Sequence, residues 1–323
     1  MKKIGMIGVI SNPVKSLSSH NGGWTTVCKS IVEDRFSNTV DILTHIDDWS
    51  SYDVLVINEG VNYKPGVYNF FGGVQQVTID KLIKLSKFKG KVYSINDTVD
   101  YNDMIQKRKE LKHINFNFKI PGIFELSNSS KKLVLGDSHS ISAYKPGYSI
   151  SRNDGKTLHG FLKKGIVNYL ESLTEELVFY AGNIDVRFHV NRLPGPEITV
   201  ENLCFHLEQQ LKDLKLKKIS IVGLLPIEDE SRKIPGTGKY KGESFYGSRV
   251  ERQFTVRHFN RCYREMCERN NWDFLEWDFD YDNNSDLSFD HMEARQSVHL
   301  RPTSYMFASQ FVGNNNNNEL KLF

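Results

Sequence analysis

The stretch Lys132–His139 reads KLVLGDSH, and its short apolar run followed by a glycine predicts a buried strand that ends in a tight turn. Ser138 lies on that turn. In α/β folds the carboxyl ends of parallel strands hold the ligand, so a serine at this place is a candidate site residue. The later segments 180–189 and 298–300 also lie beside the ends of predicted elements, and we expect the three turns to converge on one site. The alternative is that Ser138 only caps a turn or a helix, a role that serine often fills.

The bulk properties of the chain indicate a globular protein and exclude few functions. A length of 323 residues suggests two domains. Lys and Arg number 42 against 39 Asp and Glu, so the net charge is only +3 and contact with nucleic acid needs a local basic patch. The four cysteines form no CxxC pair, which is typical of reduced thiols in the cytoplasm and predicts no metal site. No apolar stretch approaches the roughly 18 residues that span a bilayer, so we predict no membrane segment.

Strands and helices alternate along the chain in the order expected of α/β domains. We predict two Rossmann-like domains with parallel sheets, at residues 1–125 and 126–312, followed by an asparagine-rich tail at 313–323. The predicted strands are 3–10, 39–43, 53–58, 91–95, 132–135, 176–180, 218–225 and 273–277. The predicted helices are 25–36, 78–88, 158–171, 199–214, 248–270 and 303–311.

Residues 131–312 carry the motifs of a known superfamily. They include a Gly-Asp-Ser turn after the first strand, Gly182 after a later strand, and His299 near the end. In these features the segment resembles the SGNH/GDSL hydrolase superfamily. The resemblance implies Ser138 as nucleophile, Gly182 as an oxyanion donor and His299 as general base, which is the chemistry that activates a serine hydroxyl. Gln296 stands where the superfamily usually has an aspartate, three residues before the histidine.

A different resemblance belongs to the N-terminal half. The loop 68–73 reads YNFFGG, and a predicted strand ends just before Asp97. This half resembles the T-even phage DNA β-glucosyltransferases. The resemblance implies that Asn69 and Phe70 face DNA and that Asp97 takes the proton from the acceptor hydroxyl, since sugar transfer with inversion needs a carboxylate base. The alternative for Asp97 is a cap on the following helix.

Several further residues are candidates for binding phosphate or DNA. Gly22 and Gly23 lie in a predicted loop before the first helix, where backbone N–H groups meet phosphate. In a transferase with two Rossmann domains, the turn at Ser138 would serve as the nucleotide-binding loop. The candidates for binding the sugar donor or phosphate are Gly22, Gly23, Gly136, Asp137, His139, Gly182, Asp185, Arg187 and His189. A structural ion pair is the equal alternative for Asp185 and Arg187.

Basic residues interleaved with aromatic ones lie between residues 232 and 264, a pattern that suits a phosphate-bearing partner. The alternative is a solvated helical face. The candidates for DNA binding in this region are Lys239, Lys241, Arg249 and Arg252.

Together these observations favour two domains in a glycosyltransferase-B-like arrangement, the second of them SGNH-like. The predicted function is transfer of a sugar from a nucleotide-sugar such as a UDP-sugar to the hydroxymethyl group of 5-hydroxymethylcytosine in double-stranded DNA, with the base flipped out of the helix. The nucleotide-sugar is a co-substrate, and no tightly bound cofactor is expected. The alternative is an SGNH-type esterase or acyltransferase that acts on a glycan through Ser138. A third possibility is a binding module without catalysis.

Overall fold

A computed structural model describes residues 2–7, 20–44, 47–57, 83–95, 99–100, 119–123, 131–170, 173–227, 234, 240–277, 291–292 and 298–310. The chain splits into two compact units, with the main division between Ser129 and Ser130. Each unit has its own parallel β-sheet.

The first unit has a four-stranded parallel sheet in the order β2-β1-β3-β4. All residues of β1 and β3 are buried, as expected of central strands covered on both faces. Helix α1 buries Val27, Ile31 and Val32, the three residues predicted to face inward. A short antiparallel pair, β5 with β6, lies outside this sheet. The elements are β1 (Ile4–Ile7), α1 (His20–Phe36), β2 (Val40–Leu43), β3 (Val54–Ile57), β4 (Lys91–Ser94), β5 (Val99–Asp100) and β6 (Lys119–Ile120).

The second unit has a five-stranded parallel sheet in the order β11-β10-β9-β7-β8. Its core joins apolar residues of the strands to the inner faces of the helices. The elements are β7 (Lys132–Gly136), β8 (Ser149–Arg152), α2 (Leu158–Lys164), β9 (Glu176–Tyr180), α3 (Asn183–Phe188), α4 (Pro196–Lys212), β10 (Lys218–Val222), α5 (Arg249–Asn270) and β11 (Asp273–Leu275). Short 3₁₀ helices lie at Ser138–Ala143, Ile166–Tyr169, Val190–Arg192, Pro302–Ser304 and Ala308–Gln310.

Local sequence signals explain where the two long helices begin. Helix α4 has a proline at its first position, where the missing N–H costs no hydrogen bond. Helix α5 begins with a capping box in which the Ser248 hydroxyl accepts from the Glu251 backbone N–H and the Glu251 carboxylate accepts from the Ser248 backbone N–H. None of the described helices has the length and apolar content that crossing a bilayer requires.

The prediction of α/β units with parallel sheets is confirmed, whereas the first helix begins five residues earlier than predicted and two later helices also differ from the structure. The helix predicted at 158–171 ends at Lys164, because Gly165 adopts a positive φ of 88° that stops the α-helix. The predicted last helix is replaced by two short 3₁₀ turns, the first of which begins with Pro302. The glycosyltransferase-B-like arrangement of the two units stays a prediction from the sequence.

Candidate active site

The site begins where β7 ends, at Gly136. This strand lies between β8 and β9, and its last residue pairs with Arg152 on one side and Tyr180 on the other. A Cβ atom built on Gly136 would overlap the backbone oxygen of Tyr180 and come within 2.8 Å of Ser140 Cβ. Glycine is therefore required here by close packing of the backbone.

The turn after β7 is built by Asp137, which caps the 3₁₀ helix Ser138–Ala143. Its Oδ1 accepts from the backbone N–H of His139 at 2.8 Å, and its backbone oxygen accepts from the Ser140 N–H at 3.1 Å and from Ser140 Oγ at 2.7 Å. Asp137, His139 and Ser140 are buried, whereas Ser138 is only half-buried. The local hydrogen bonds thus leave one polar side chain, that of Ser138, accessible on the turn.

His299 meets Ser138 across a long stretch of sequence. Its Nε2 lies 3.0 Å from Ser138 Oγ, and the imidazole is half-buried. The segment that carries His299 is held by backbone hydrogen bonds. The Met306 N–H donates to the Ser142 oxygen at 2.8 Å, and the Arg301 N–H donates to the His291 oxygen at 2.9 Å. The distance of 3.0 Å is that of a nucleophile and its general base. Sequence reasoning did not find the backbone contact at Ser142, because no side chain signals it.

His139 is a second imidazole at the same serine. Its Nδ1 lies 3.1 Å from Asp137 Oδ1 and 3.4 Å from Ser138 Oγ. Its Nε2 lies 2.9 Å from the Val298 oxygen and 3.1 Å from Arg187 Nη2. The centroids of the His139 and His299 rings are 4.9 Å apart. The sequence predicted His139 only as a residue that binds the sugar donor or phosphate. In the structure its ring contacts Ser138 directly.

Burial governs the charges at this turn. Removal from water raises the pKa of Asp137 to about 6, although the His139 backbone N–H and the Arg187 charge oppose the rise. Burial also holds the pKa of His139 well below its ordinary value, and the charge of Arg187 adds to this effect. The carboxylate form of Asp137 is therefore favoured above about pH 6, and it lies beside a neutral imidazole.

Asp185 is explained by a structural contact. It is fully buried in α3, and its carboxylate accepts from the backbone N–H of Leu158 at 2.7 Å and of His159 at 3.3 Å. Asp185 therefore caps the N-terminus of α2 across the fold, where free N–H groups stabilise an acidic side chain. Burial raises its pKa to about 7 in spite of these donors. Arg187, two residues further along α3, contacts His139.

Gly182 precedes α3 in a conformation that only glycine adopts readily, with φ 131°. The neighbouring Asn183 is buried and engaged in structure. Its amide donates to the Leu225 oxygen at 3.0 Å, and its Oδ1 accepts from the Tyr180 hydroxyl. Since the Asn183 side chain is occupied in this way, the backbone of Gly182 is the better candidate for contact with a developing oxyanion.

His189 at the end of α3 contacts Tyr240, which lies among the basic and aromatic residues between 232 and 264. Its Nε2 lies 2.7 Å from the Tyr240 hydroxyl, and the Tyr240 ring stacks on Phe188 with centroids 4.1 Å apart. Arg252, a predicted DNA-binding residue, is instead buried. It donates to the Gly247 oxygen at 2.5 Å, and its guanidinium lies 5.0 Å from the centre of the Phe245 ring. The prediction that Arg252 contacts DNA is thus corrected by its burial.

Some of the other predicted residues lie within the part of the chain that the structure describes, and some lie outside it. Lys241 is exposed, and Arg249 is half-buried at the start of α5. Gly22 and Gly23 lie in the first turn of α1 rather than in a loop, because this helix begins at His20. Among the described residues no cluster of His, Cys, Asp or Glu is arranged to hold a metal ion. The candidates that lie outside the described residues are Asn69, Phe70, Asp97 and Lys239, together with Gln296.

No family model matches the chain, and no curated protein matches it. Among solved structures, a gut microbial diltiazem-metabolizing enzyme is 19% identical over 45% of this chain and 36% of its own, with a TM-score of 0.31. A candidate platelet activating factor from Streptococcus pneumonia is 16% identical over 66% and 91%, with a TM-score of 0.40. An acetyl xylan esterase is 15% identical over 45% and 76%, with a TM-score of 0.31. The chain thus spans about a third of the first of these proteins. At these values none of the matches transfers an activity to it.

The comparisons contradict the DNA glycosyltransferase predicted from the sequence. Several of the solved structures matched by this chain are esterases or lipases, such as the acetyl xylan esterase and an extracellular lipase from Streptomyces rimosus. Of the two family resemblances, the one to the SGNH/GDSL hydrolases agrees with these matches, and the one to the phage glucosyltransferases does not. The assignments as a glycosyltransferase and as a DNA-modifying enzyme are therefore wrong. The partners named with them, modified DNA and a nucleotide-sugar, stay predictions from the sequence.

Proposed function

We propose that this chain is a serine esterase or acyltransferase with Ser138 as the nucleophile and His299 as the general base. The observation that carries the proposal is the distance of 3.0 Å between Ser138 Oγ and His299 Nε2. A serine hydroxyl is a weak nucleophile at neutral pH and becomes reactive when a base within hydrogen-bond reach takes its proton. Both side chains are half-buried, so an acyl group reaches them while the rest of the turn excludes water.

In the proposed reaction His299 Nε2 takes the proton of Ser138 as Oγ attacks the ester carbonyl. The negative charge moves to the carbonyl oxygen, for which the backbone N–H of Gly182 is the candidate donor. When the tetrahedral intermediate collapses, His299 gives its proton to the leaving alcohol and Ser138 keeps the acyl group. Water then releases the acid in an esterase, and a second hydroxyl group takes the acyl group in an acyltransferase. The glycan ester of the sequence hypothesis is the first class of substrate to test.

The test is covalent labelling with a fluorophosphonate, which phosphonylates an activated serine with loss of fluoride. We expect one label per chain, located at Ser138 by peptide mass spectrometry, and none in Ser138→Ala. His299→Ala should slow labelling by about 100-fold or more, because the base is lost. Ser248→Ala removes a serine that caps α5 and serves as a control that labels like the wild type. Folded protein that takes no label at Ser138 overturns the proposal and favours a binding module without catalysis.

A further inference from the structure

Two imidazole nitrogens lie close to Ser138 Oγ, whereas a serine nucleophile needs only one base. His299 Nε2 is 3.0 Å away and His139 Nδ1 is 3.4 Å away. A serine hydroxyl has a single proton to donate, and its oxygen can also accept. If the proton goes to the nearer nitrogen, on His299, then His139 hydrogen-bonds to Oγ only as a donor. Whether His139 can donate this hydrogen bond therefore depends on which ring nitrogen carries its proton.

The neighbours of His139 select the tautomer. Arg187 has only donors, and its Nη2 lies 3.1 Å from His139 Nε2, so this nitrogen keeps its lone pair. The Asp137 carboxylate has only acceptors, and its Oδ1 lies 3.1 Å from His139 Nδ1, so this nitrogen carries the proton. The Val298 carbonyl, 2.9 Å from Nε2, favours the opposite tautomer. Two charged partners outweigh one neutral carbonyl, because charge-assisted hydrogen bonds are about twice as strong.

Burial fixes both the charge and the orientation of the ring. His139 is fully buried, which disfavours the imidazolium form and leaves a neutral ring with one proton. Asp137 and Arg187 are also buried, at 0% and 3% exposure, so water does not readily replace either side chain as a partner of His139. With the proton on Nδ1, both Asp137 Oδ1 at 3.1 Å and Ser138 Oγ at 3.4 Å are within reach as acceptors.

We propose that His139 is a second catalytic imidazole, which donates its Nδ1–H to Ser138 Oγ as His299 takes the serine proton, and that Arg187 is the positioning residue that holds the proton on Nδ1. This inference rests on the proposed function. The donated hydrogen bond stabilises the charge that builds on Oγ before its bond to the acyl carbon is complete. His139 keeps its own proton throughout, and the proton that moves is carried by His299.

Two substitutions at His139 separate this role from a structural one. In Asn the amide nitrogen lies two bonds from Cβ, as Nδ1 does in histidine, so His139→Asn keeps a donor near Ser138. In Gln it lies three bonds away, as Nε2 does, so His139→Gln moves the donor toward Arg187 and Val298. We expect His139→Gln to lower kcat for p-nitrophenyl acetate, and the rate of labelling at Ser138, by about 100-fold with little change in KM. His139→Asn should lose less than about tenfold. His206→Gln, at an exposed position of α4, is the matched control.

The tautomer itself is read by ¹H–¹⁵N correlation spectra of the imidazole nitrogens, with melting temperatures to show that each variant is folded. We expect Nδ1–H in the wild type and a shift to Nε2–H, donating to Val298, in Arg187→Met. A wild type with the proton on Nε2, or a folded His139→Gln that labels as fast as the wild type, overturns the role of His139 while the proposed function stands. A wild type that takes no label at Ser138 overturns the proposed function and this inference with it.

Discussion

The backbone N–H of Met306 donates to the backbone oxygen of Ser142 at 2.8 Å, and this contact joins the segment of His299 to the turn of Ser138. The two elements are far apart in sequence, since Ser138 and His299 are separated by 161 positions. The serine is fixed by the end of β7, whereas the histidine depends on how its segment is held. A single backbone hydrogen bond therefore contributes to the geometry of the site.

Met306→Pro should test this contact, because proline removes the N–H and leaves the Ser142 oxygen without its donor. The preceding residue, Tyr305, has φ −69° and ψ 148°, a conformation that a following proline favours. Loss of a hydrogen bond worth about 1 kcal/mol should lower the rate of labelling at Ser138 about fivefold. Met306→Ala keeps the N–H and should label like the wild type. Equal rates for the two variants would show that the contact does not position His299.

Gly136→Ala should destabilise the second unit strongly. The new Cβ overlaps the backbone oxygen of Tyr180 on the neighbouring strand, and a backbone atom cannot move aside without disturbing the sheet. We expect the free energy of unfolding in urea to fall by about 3 kcal/mol or more. Gly155→Ala is the control, because a Cβ there meets no atom within 4 Å although φ is positive. It should cost about 1 kcal/mol. A smaller loss for Gly136→Ala than for Gly155→Ala contradicts the packing argument.

Asp185 should make stability depend on pH in a defined direction. Its pKa is raised from 3.8 to about 7 by burial, so the folded protein binds this proton more tightly than the unfolded chain does. The stabilisation from Asp185 is complete below the unfolded pKa and is lost as the pH rises through the folded pKa. His139, whose pKa is lowered, acts in the opposite sense, so the comparison must be made against a variant of Asp185 alone.

The measurement is the free energy of unfolding of the wild type and of Asp185→Asn at several pH values. The difference, wild type minus variant, should fall between about pH 4 and pH 7 and stay constant above that range. Asp185→Ala should be less stable than Asp185→Asn, by about 1 kcal/mol, since alanine cannot cap α2. If the stability difference rises with pH, folding does not raise the pKa of the Asp185 carboxyl.

Arg252→Ala should lower stability, because this side chain is buried against Phe245 and donates to the Gly247 oxygen. We expect a loss of about 2 kcal/mol in the free energy of unfolding. Arg257→Ala, at an exposed position of the same helix, should change it by less than about 0.5 kcal/mol. If Arg252→Ala is as stable as Arg257→Ala, the side chain belongs to the surface patch that the sequence suggested.

Sequence patterns predicted the parts of the fold that depend on local apolar runs. The strand predicted at 176–180 has the bounds of β9, and four of its five residues are buried. Strand β8 was missed, because Ser149–Arg152 contains only one apolar residue and lies on the edge of the sheet. Helix α3 was also missed, since its six residues are shorter than the window in which helical periodicity appears.

The candidate site was predicted in outline by motif order, which named Ser138 and His299. Spacing could not show how the His139 ring is oriented at the same serine, because Arg187 from α3 and the Val298 oxygen contact its Nε2. Nor could it show that Asp185 caps α2, since that contact joins two elements through the fold. Tertiary contacts of this kind leave no local pattern.

The long separation between Ser138 and His299 has a consequence during synthesis. The ribosome makes the chain from its N-terminus, and β7 with its serine turn emerges well before residue 299. On the proposed function, the growing chain therefore carries a nucleophile without its base. Each new protein molecule becomes reactive only after residue 299 has been made and its segment has docked at the turn of Ser138.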